Sequence, residues 1–259
     1  MDFTFYKFQG TGNDFIMIDD RSMTFPAHST VINTWCDRKF GIGADGLILL
    51  QEDKDYDFRM VYFNADGNES TMCGNGGRCI AAFAKFLQIN LEKRQFIAID
   101  GPHDFVIHDD TVLLKMKDVL TIEHLDNAYV MDTGSPHYVV FGHHIAEMEL
   151  VDSARKIRYN EMYKANGINV NFTEKIDQRY FIRTYERGVE DETLSCGTGT
   201  VATALSWAIK EDLSEGKIEL ITQGGKLNVH FKQNNRQFSD IWLEGAAEYV
   251  FKGVCANAI

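Results

Sequence analysis

Met72-Cys73-Gly74-Asn75-Gly76-Gly77-Arg78-Cys79 is a thiol followed at once by a glycine-rich turn and then by an alanine-rich apolar run. Leu194-Ser195-Cys196-Gly197-Thr198-Gly199-Thr200 has the same construction. Each follows an acidic loop, Ala65-Asp66-Gly67-Asn68-Glu69-Ser70 in one case and Val189-Glu190-Asp191-Glu192-Thr193 in the other. Cys73 and Cys196 are 123 residues apart, and the turn glycines Gly12 and Gly134 are 122 apart. With the cysteines aligned, Tyr62 falls on Tyr185 and Glu69 on Glu192. Landmarks that share an offset point to an internal duplication.

The totals bound what such a chain can be. Its 259 residues are 44% hydrophobic and 12% aromatic, enough for a packed core, and only three are proline. The net charge of −12 argues against a nucleic-acid partner, which needs a basic face to displace phosphate counterions. A small anionic ligand is still allowed, because local N–H groups and one arginine can dominate inside a site. No stretch approaches 18 consecutive apolar residues, so no membrane span is expected, and the start of the chain lacks the pattern of a signal peptide. Five cysteines without an export signal suggest a reduced, cytoplasmic setting.

Alternation and helical spacing give the elements. Strands are expected at Phe3–Phe8, Phe15–Asp19, Leu47–Leu50 and Asp57–Asn64, then at 95–100, 104–108 and 112–116. Helices are expected at Thr30–Phe40 and from about Gly76 to Leu87. The pattern restarts with strands at 128–132, 137–141, 169–172 and 179–185 and a helix from about Thr200 to Glu211. Strands at 217–222, 226–231, 239–244 and 247–251 close the chain. The fold class is α/β (α+β), with two similar domains whose strands wrap one central, nearly uncharged helix each. The halves are 1–118 and 119–247.

A thiol at a helix start sees N–H groups without partners and the positive end of the helix dipole, both of which lower its pKa. The glycines are expected to turn the chain tightly, with Asn75 and Thr198 as caps. The same N–H groups would bind a carboxylate. Two such thiols suit the inversion of a carbon centre, where one group removes a proton and a matched group returns one to the other face. Cys36, Cys79 and Cys255 read as structural. Gly41-Ile42-Gly43-Ala44-Asp45-Gly46 matches a dinucleotide fingerprint by letter but precedes a strand, so that reading fails. Cys73 and Cys79 lack zinc-knuckle spacing, His143-His144 reads as a solvated turn, and no metal or cofactor is expected.

At this point the chain resembles the diaminopimelate epimerases. The resemblance rests on Gly12-Asn13-Asp14-Phe15, Gly41 to Gly46, Tyr62 to Gly67, Met72 to Cys79, Asn169-Val170-Asn171-Phe172, Tyr185-Glu186-Arg187-Gly188-Val189 and Cys196-Gly197-Thr198-Gly199. It implies two pseudo-symmetric domains, each a barrel-like sheet around a central helix, with segment 248–259 returning to the first. It implies cofactor-independent, pyridoxal-free interconversion of LL- and meso-diaminopimelate, in lysine and cell-wall precursor biosynthesis, by a cytoplasmic homodimer. Cys73 and Cys196 would be the acid/base pair. Gly74, Asn75, Gly197 and Thr198 would hold the reacting carboxylate. Asn13, Asn64, Asn169 and Arg187 would hold the distal end, and His137 and Glu186 would contact the reacting amine or tune a thiol. The chain departs from the family's pattern at Ser135, usually Asn, at Gly46, Gln in some members, and at Ala246. The alternatives are a proline racemase-like or other related isomerase, and a thiol redox enzyme using Cys73 with Cys79.

Overall fold

The computed structural model describes residues 2–255, so the last four residues of segment 248–259 lie outside the described residues. The chain divides into two units. Unit 1 runs to Leu114 and resumes at Ala246, and unit 2 is Lys115–Gly245.

Unit 1 holds β1 (Phe3–Gly10), β2 (Asn13–Asp19), α1 (Ser29–Cys36), β3 (Gly46–Gln51), β4 (Phe58–Asn64), β5 (Glu69–Ser70), α2 (Gly74–Phe86), β6 (Gln95–Ala98), β7 (Gly101–His108) and β8 (Thr111–Lys115). Unit 2 holds β9 (Ile122–Leu125), β10 (Ala128–Asp132), β11 (Pro136–Phe141), α3 (Leu150–Arg158), β12 (Asn169–Ile176), β13 (Arg179–Glu186), β14 (Asp191–Thr193), α4 (Gly197–Lys210), β15 (Glu215–Thr222), β16 (Gly225–Asn234) and β17 (Gln237–Ala246). The last strand, β18 (Glu248–Cys255), pairs with β1 in unit 1.

The pairing scheme is the same in both units. In unit 1, β18, β1 and β2 run antiparallel, β2 is parallel to β3, β3 antiparallel to β4, β4 parallel to β6, and β6, β7 and β8 antiparallel. In unit 2 the same sequence of relations links β9, β10, β11, β12, β13, β15, β16 and β17. The two-residue β5 and three-residue β14 add to β4 and β13. Helix α3, absent from the sequence reading, therefore stands where α1 stands in unit 1.

Burial explains the layers. β2 and β3 are near-continuous apolar runs, Phe15-Ile16-Met17-Ile18 and Leu47-Ile48-Leu49-Leu50, all buried, as parallel strands covered on both faces must be. One face takes Ile32, Trp35 and Cys36 of α1. α2 lies within the curve of β1, β2, β3, β7 and β18, and α4 within that of β10 to β13, β15 and β16. Leu150 and Ala154 of α3 pack on Val170, Phe172 and Tyr185.

Three expectations need correction. Helix α1 stops at Cys36, not Phe40, because Asp37 Oδ1 accepts from the N–H groups of Lys39 and Phe40 and turns the chain. α2 and α4 begin at Gly74 and Gly197, two to three residues early, so the cysteines themselves are the caps and Asn75 and Thr198 sit inside the first turn. The ladders also shift one alignment. Leu47 faces Phe63 and Val170 faces Tyr185, so Tyr185 corresponds to Phe63 and Tyr62 to Thr184. Glu69 and Glu192 do correspond, since they face Phe63 and Tyr185. The slip arises because unit 2 has one more residue between the strand end and its cysteine.

The core of unit 2 carries a polar tie. Thr173, fully buried, donates to Phe181 O and accepts from Trp207 Nε1, both at 2.8 Å. Thr173→Val keeps the shape and strands the indole N–H, so unfolding free energy should fall by about 1–3 kcal/mol, read from the urea midpoint.

Candidate active site

Cys73 is extended (φ −99°, ψ 145°) and its sulfur accepts from Gly76 N at 3.2 Å, closing the first turn of α2. Cys196 has a similar backbone (φ −121°, ψ 116°), but its sulfur lies 3.5 Å from Thr198 Oγ1. Cys73 is half-buried and Cys196 buried. The glycines that follow are ordinary helical residues rather than tight-turn residues, and close approach explains them. A Cβ on Gly77 would fall 2.8 Å from Leu114 Cδ1, and one on Gly199 2.4 Å from Asn171 Oδ1. The remaining thiols are of another kind. Burial pushes Cys36 up to about 12, and pushes the fully buried Cys79 higher still. Cys79 is thus a poor resolving thiol for a redox cycle with Cys73.

Unit 1 brings Asn13, Asn75 and Gly74 together with Cys73. Asn13 Oδ1 lies 3.9 Å from the sulfur and accepts from Asn75 Nδ2 at 3.3 Å. Asn13 Nδ2 donates to Asp45 Oδ2 at 2.6 Å. Behind them is a residue that sequence reasoning passed over. Arg78 is fully buried and donates to Gly74 O, Asn75 Oδ1, Thr11 Oγ1 and Ala246 O. Burial lowers its proton affinity, while the nearby thiols of Cys79 and Cys73 favour its charge. The Ala246 departure therefore still supplies a backbone acceptor.

Asn64 is placed differently. It is exposed at the end of β4, and its Oδ1 accepts from Tyr62 OH at 2.8 Å. Gly46 faces Asn64 across the ladder, and a Cβ there would fall 2.6 Å from both Phe63 O and Tyr62 Cε2. The Tyr62 ring thus takes the space of the side chain that Gly46 lacks.

Unit 2 brings Asn169, Arg187, Ser135 and His137 together. Asn169 Oδ1 accepts from Arg187 N at 2.8 Å, and its Nδ2 donates to Ser135 Oγ at 2.9 Å and Pro136 O at 3.0 Å. The Arg187 guanidinium donates to Asn166 O at 2.9 Å and Ser135 Oγ at 3.4 Å. Ser135 therefore joins Asn169 to Arg187. The acidic loop does not claim Arg187, since Glu190 pairs with Arg158 and accepts from Tyr159 and Tyr185. Glu186, corresponding to Asn64, accepts from Thr193 Oγ1 at 2.6 Å.

His137 is buried with Nε2 2.9 Å from Thr198 Oγ1 and Nδ1 3.1 Å from Asn171 Nδ2. Asn171 Nδ2 also donates to Tyr138 O, which fixes that end of the amide as the donor. His137 Nδ1 must then accept, so Nε2 carries the proton toward Thr198. Among the described residues no cluster of three or more His, Cys, Asp or Glu side chains could hold a metal.

A sequence profile described as "Diaminopimelate epimerase" matches residues 5–119 and 129–250. The diaminopimelate epimerase of Flavobacterium psychrophilum is 52% identical over 250 residues, covering 95% of this chain and 98% of its own. The chain belongs to the diaminopimelate epimerase family. A second relative of that name, from Chlorobaculum tepidum, is 40% identical over 94% of this chain and 98% of its own. Among solved structures, a PhzF-family phenazine biosynthesis protein of Bacillus anthracis shares the fold at a TM-score of 0.75 and 14% identity, covering 99% of this chain and 100% of its own. A hydroxyproline epimerase of Agrobacterium vitis does so at 0.65 and 13%, covering 98% and 92%. This protein is an isomerase of two pseudo-symmetric α/β domains.

Burial pushes the His137 pKa down to about 3, against the pull of Asp132. In the unfolded chain it titrates near ~6.5. The unfolded state then takes up the proton first, so stability is complete above about pH 6.5 and is lost as pH falls toward 3. Urea midpoints measured from pH 7 to pH 4 should fall, and the fall should be shallower in His137→Gln.

Proposed function

We propose that the protein interconverts LL- and meso-diaminopimelate without a cofactor, using Cys73 and Cys196 as a thiolate and thiol pair. The observation that carries this reading is that each cysteine caps its unit's central helix. The family and its named relatives support the choice of substrate.

One cysteine, as thiolate, takes the α-proton and becomes a thiol. The other, as thiol, donates a proton to the opposite face and is left as thiolate. The roles exchange in the reverse direction, so the two groups need matched acidities. Charge developing on the α-carboxylate is met by first-turn N–H groups at Gly74, Asn75, Gly197 and Thr198. Arg187, with Asn169 and Ser135, offers a guanidinium fork suited to the distal carboxylate. Asn13 and Asn64 supply amides in unit 1. His137, as the Nε2–H tautomer, holds the Thr198 hydroxyl beside Cys196. Glu186 is a contact for an amine. The product would serve lysine and cell-wall precursor synthesis. A cytoplasmic homodimer is part of the same proposal and is tested by light scattering.

The protein in deuterium oxide should incorporate deuterium at the α-carbon of diaminopimelate and leave proline untouched. Cys73→Ala and Cys196→Ala should each slow epimerisation by about a hundredfold or more. Racemisation of proline without diaminopimelate exchange, or full activity in either variant, would sink the proposal.

A further inference from the structure

The hydrogen-bonded chain that ends beside Cys73 has a direction. Arg78 can only donate. Its Nη2 lies 2.9 Å from Asn75 Oδ1 and 3.2 Å from Thr11 Oγ1, and the Thr11 hydroxyl donates to the same Oδ1 at 3.4 Å. Asn75 therefore turns its oxygen to Arg78 and its Nδ2 the other way, toward Asn13 Oδ1. At the far end the Asp45 carboxylate can only accept. It takes Asn13 Nδ2 at 2.6 Å and is itself held by Arg38 at 2.7 Å. A donor-only group at one end and an acceptor-only group at the other leave each amide between them one orientation.

We propose that Arg78 and Asp45 are positioning residues that lock the Asn75 and Asn13 amides so that Cys73 always meets an acceptor, Asn13 Oδ1. The proposal rests on reading Cys73 as an acid/base group. Its sulfur then has a partner for either state. The thiol proton points to Asn13 Oδ1, and the thiolate accepts from Gly76 N–H. A group that must be base in one direction and acid in the other needs both. Were Asn13 to turn over, the sulfur would face two donors, the thiolate would be favoured and the acid role weakened.

Other charged groups nearby have partners of their own. Asp14 pairs with Lys7 and Arg38, Asp100 with His103, and Glu248 accepts from Gln9. Cys79 stays a neutral thiol through burial. None of these competes for the amides of Asn13 or Asn75.

The test is the pH dependence of Cys73 alkylation by iodoacetamide, read on the Cys73 peptide by mass spectrometry, which needs no turnover. Asp45 is a surface side chain, 42% exposed, so Asp45→Asn should fold, which melting checks. Its new amide frees Asn13 to turn, and the Cys73 pKa should fall by about one to two units. In an Asn13→Leu background the same change should produce no further shift. Arg78→Lys keeps a donor-only end and should leave the pKa near wild type. An unchanged pKa in Asp45→Asn overturns the proposal. So does an equal shift with and without Asn13, which would mean that the Asp45 charge acts directly. If those results come with intact epimerisation, only the positioning role fails; if diaminopimelate is not turned over at all, the functional reading fails independently.

Discussion

Each central helix begins inside its unit, and the backbone N–H groups of its first turn have no helical partners. Burying such groups is costly unless something accepts from them. At the start of α2 the capping cysteine meets this constraint in part, with Cys73 Sγ taking Gly76 N–H. The glycines serve packing, by admitting neighbours that a side chain would exclude. Ile48 Cδ1 and Met60 Cε stand 3.1 and 3.4 Å from where a Gly76 Cβ would be. The sheet thus packs onto the helix start itself. Core packing and the placement of the thiol are one arrangement, so neither can change without the other.

Duplication sets a cysteine at the start of each central helix and leaves the rest free to diverge. The third and fourth strands of each unit place Gly46 and Asn64 where the other unit places Asn169 and Glu186. In unit 1 the glycine yields its space to Tyr62, which holds Asn64. In unit 2 Asn169 holds the Arg187 backbone, and Ser135 links the two. Equivalent strand ends therefore present one neutral amide in unit 1, and an amide, a carboxylate and the adjoining Arg187 guanidinium in unit 2.

The repeat, the paired cysteines and most strands were legible because they rest on spacing and alternation. The helix starts were misread by two to three residues. Glycine has poor helix propensity, so Gly74 to Gly77 reads as loop, and only packing against β3, β4 and β8 makes it helix. α3 went unread although Leu150, Ala154 and Ile157 recur at helical spacing, because Asp152, Arg155, Lys156 and Arg158 make the segment polar on average. The repeat held the missing signal, since the offset that joins Gly12 to Gly134 carries α1 onto it. Arg78 was passed over because arginine is almost never fully buried without a partner. Nothing in the spacing of Asn13 and Asp45 tells that one bonds the other, because β1 to β3 must fold first.

Arg78 shows what the constraint at the helix start leads to. Its hydrogen-bond partners among the described residues are neutral oxygens, so its donors are satisfied while its charge is not cancelled. A buried uncancelled charge opposes folding. It also lowers the free energy of any negative charge that forms close by, and does so strongly because water is excluded. Cys36 and Cys79 show that burial alone drives a thiol the wrong way. Cys73 stands half-buried at the start of the same helix as Cys79, within the field of the Arg78 charge. The cost to stability and the benefit to a nearby anion have the same physical origin.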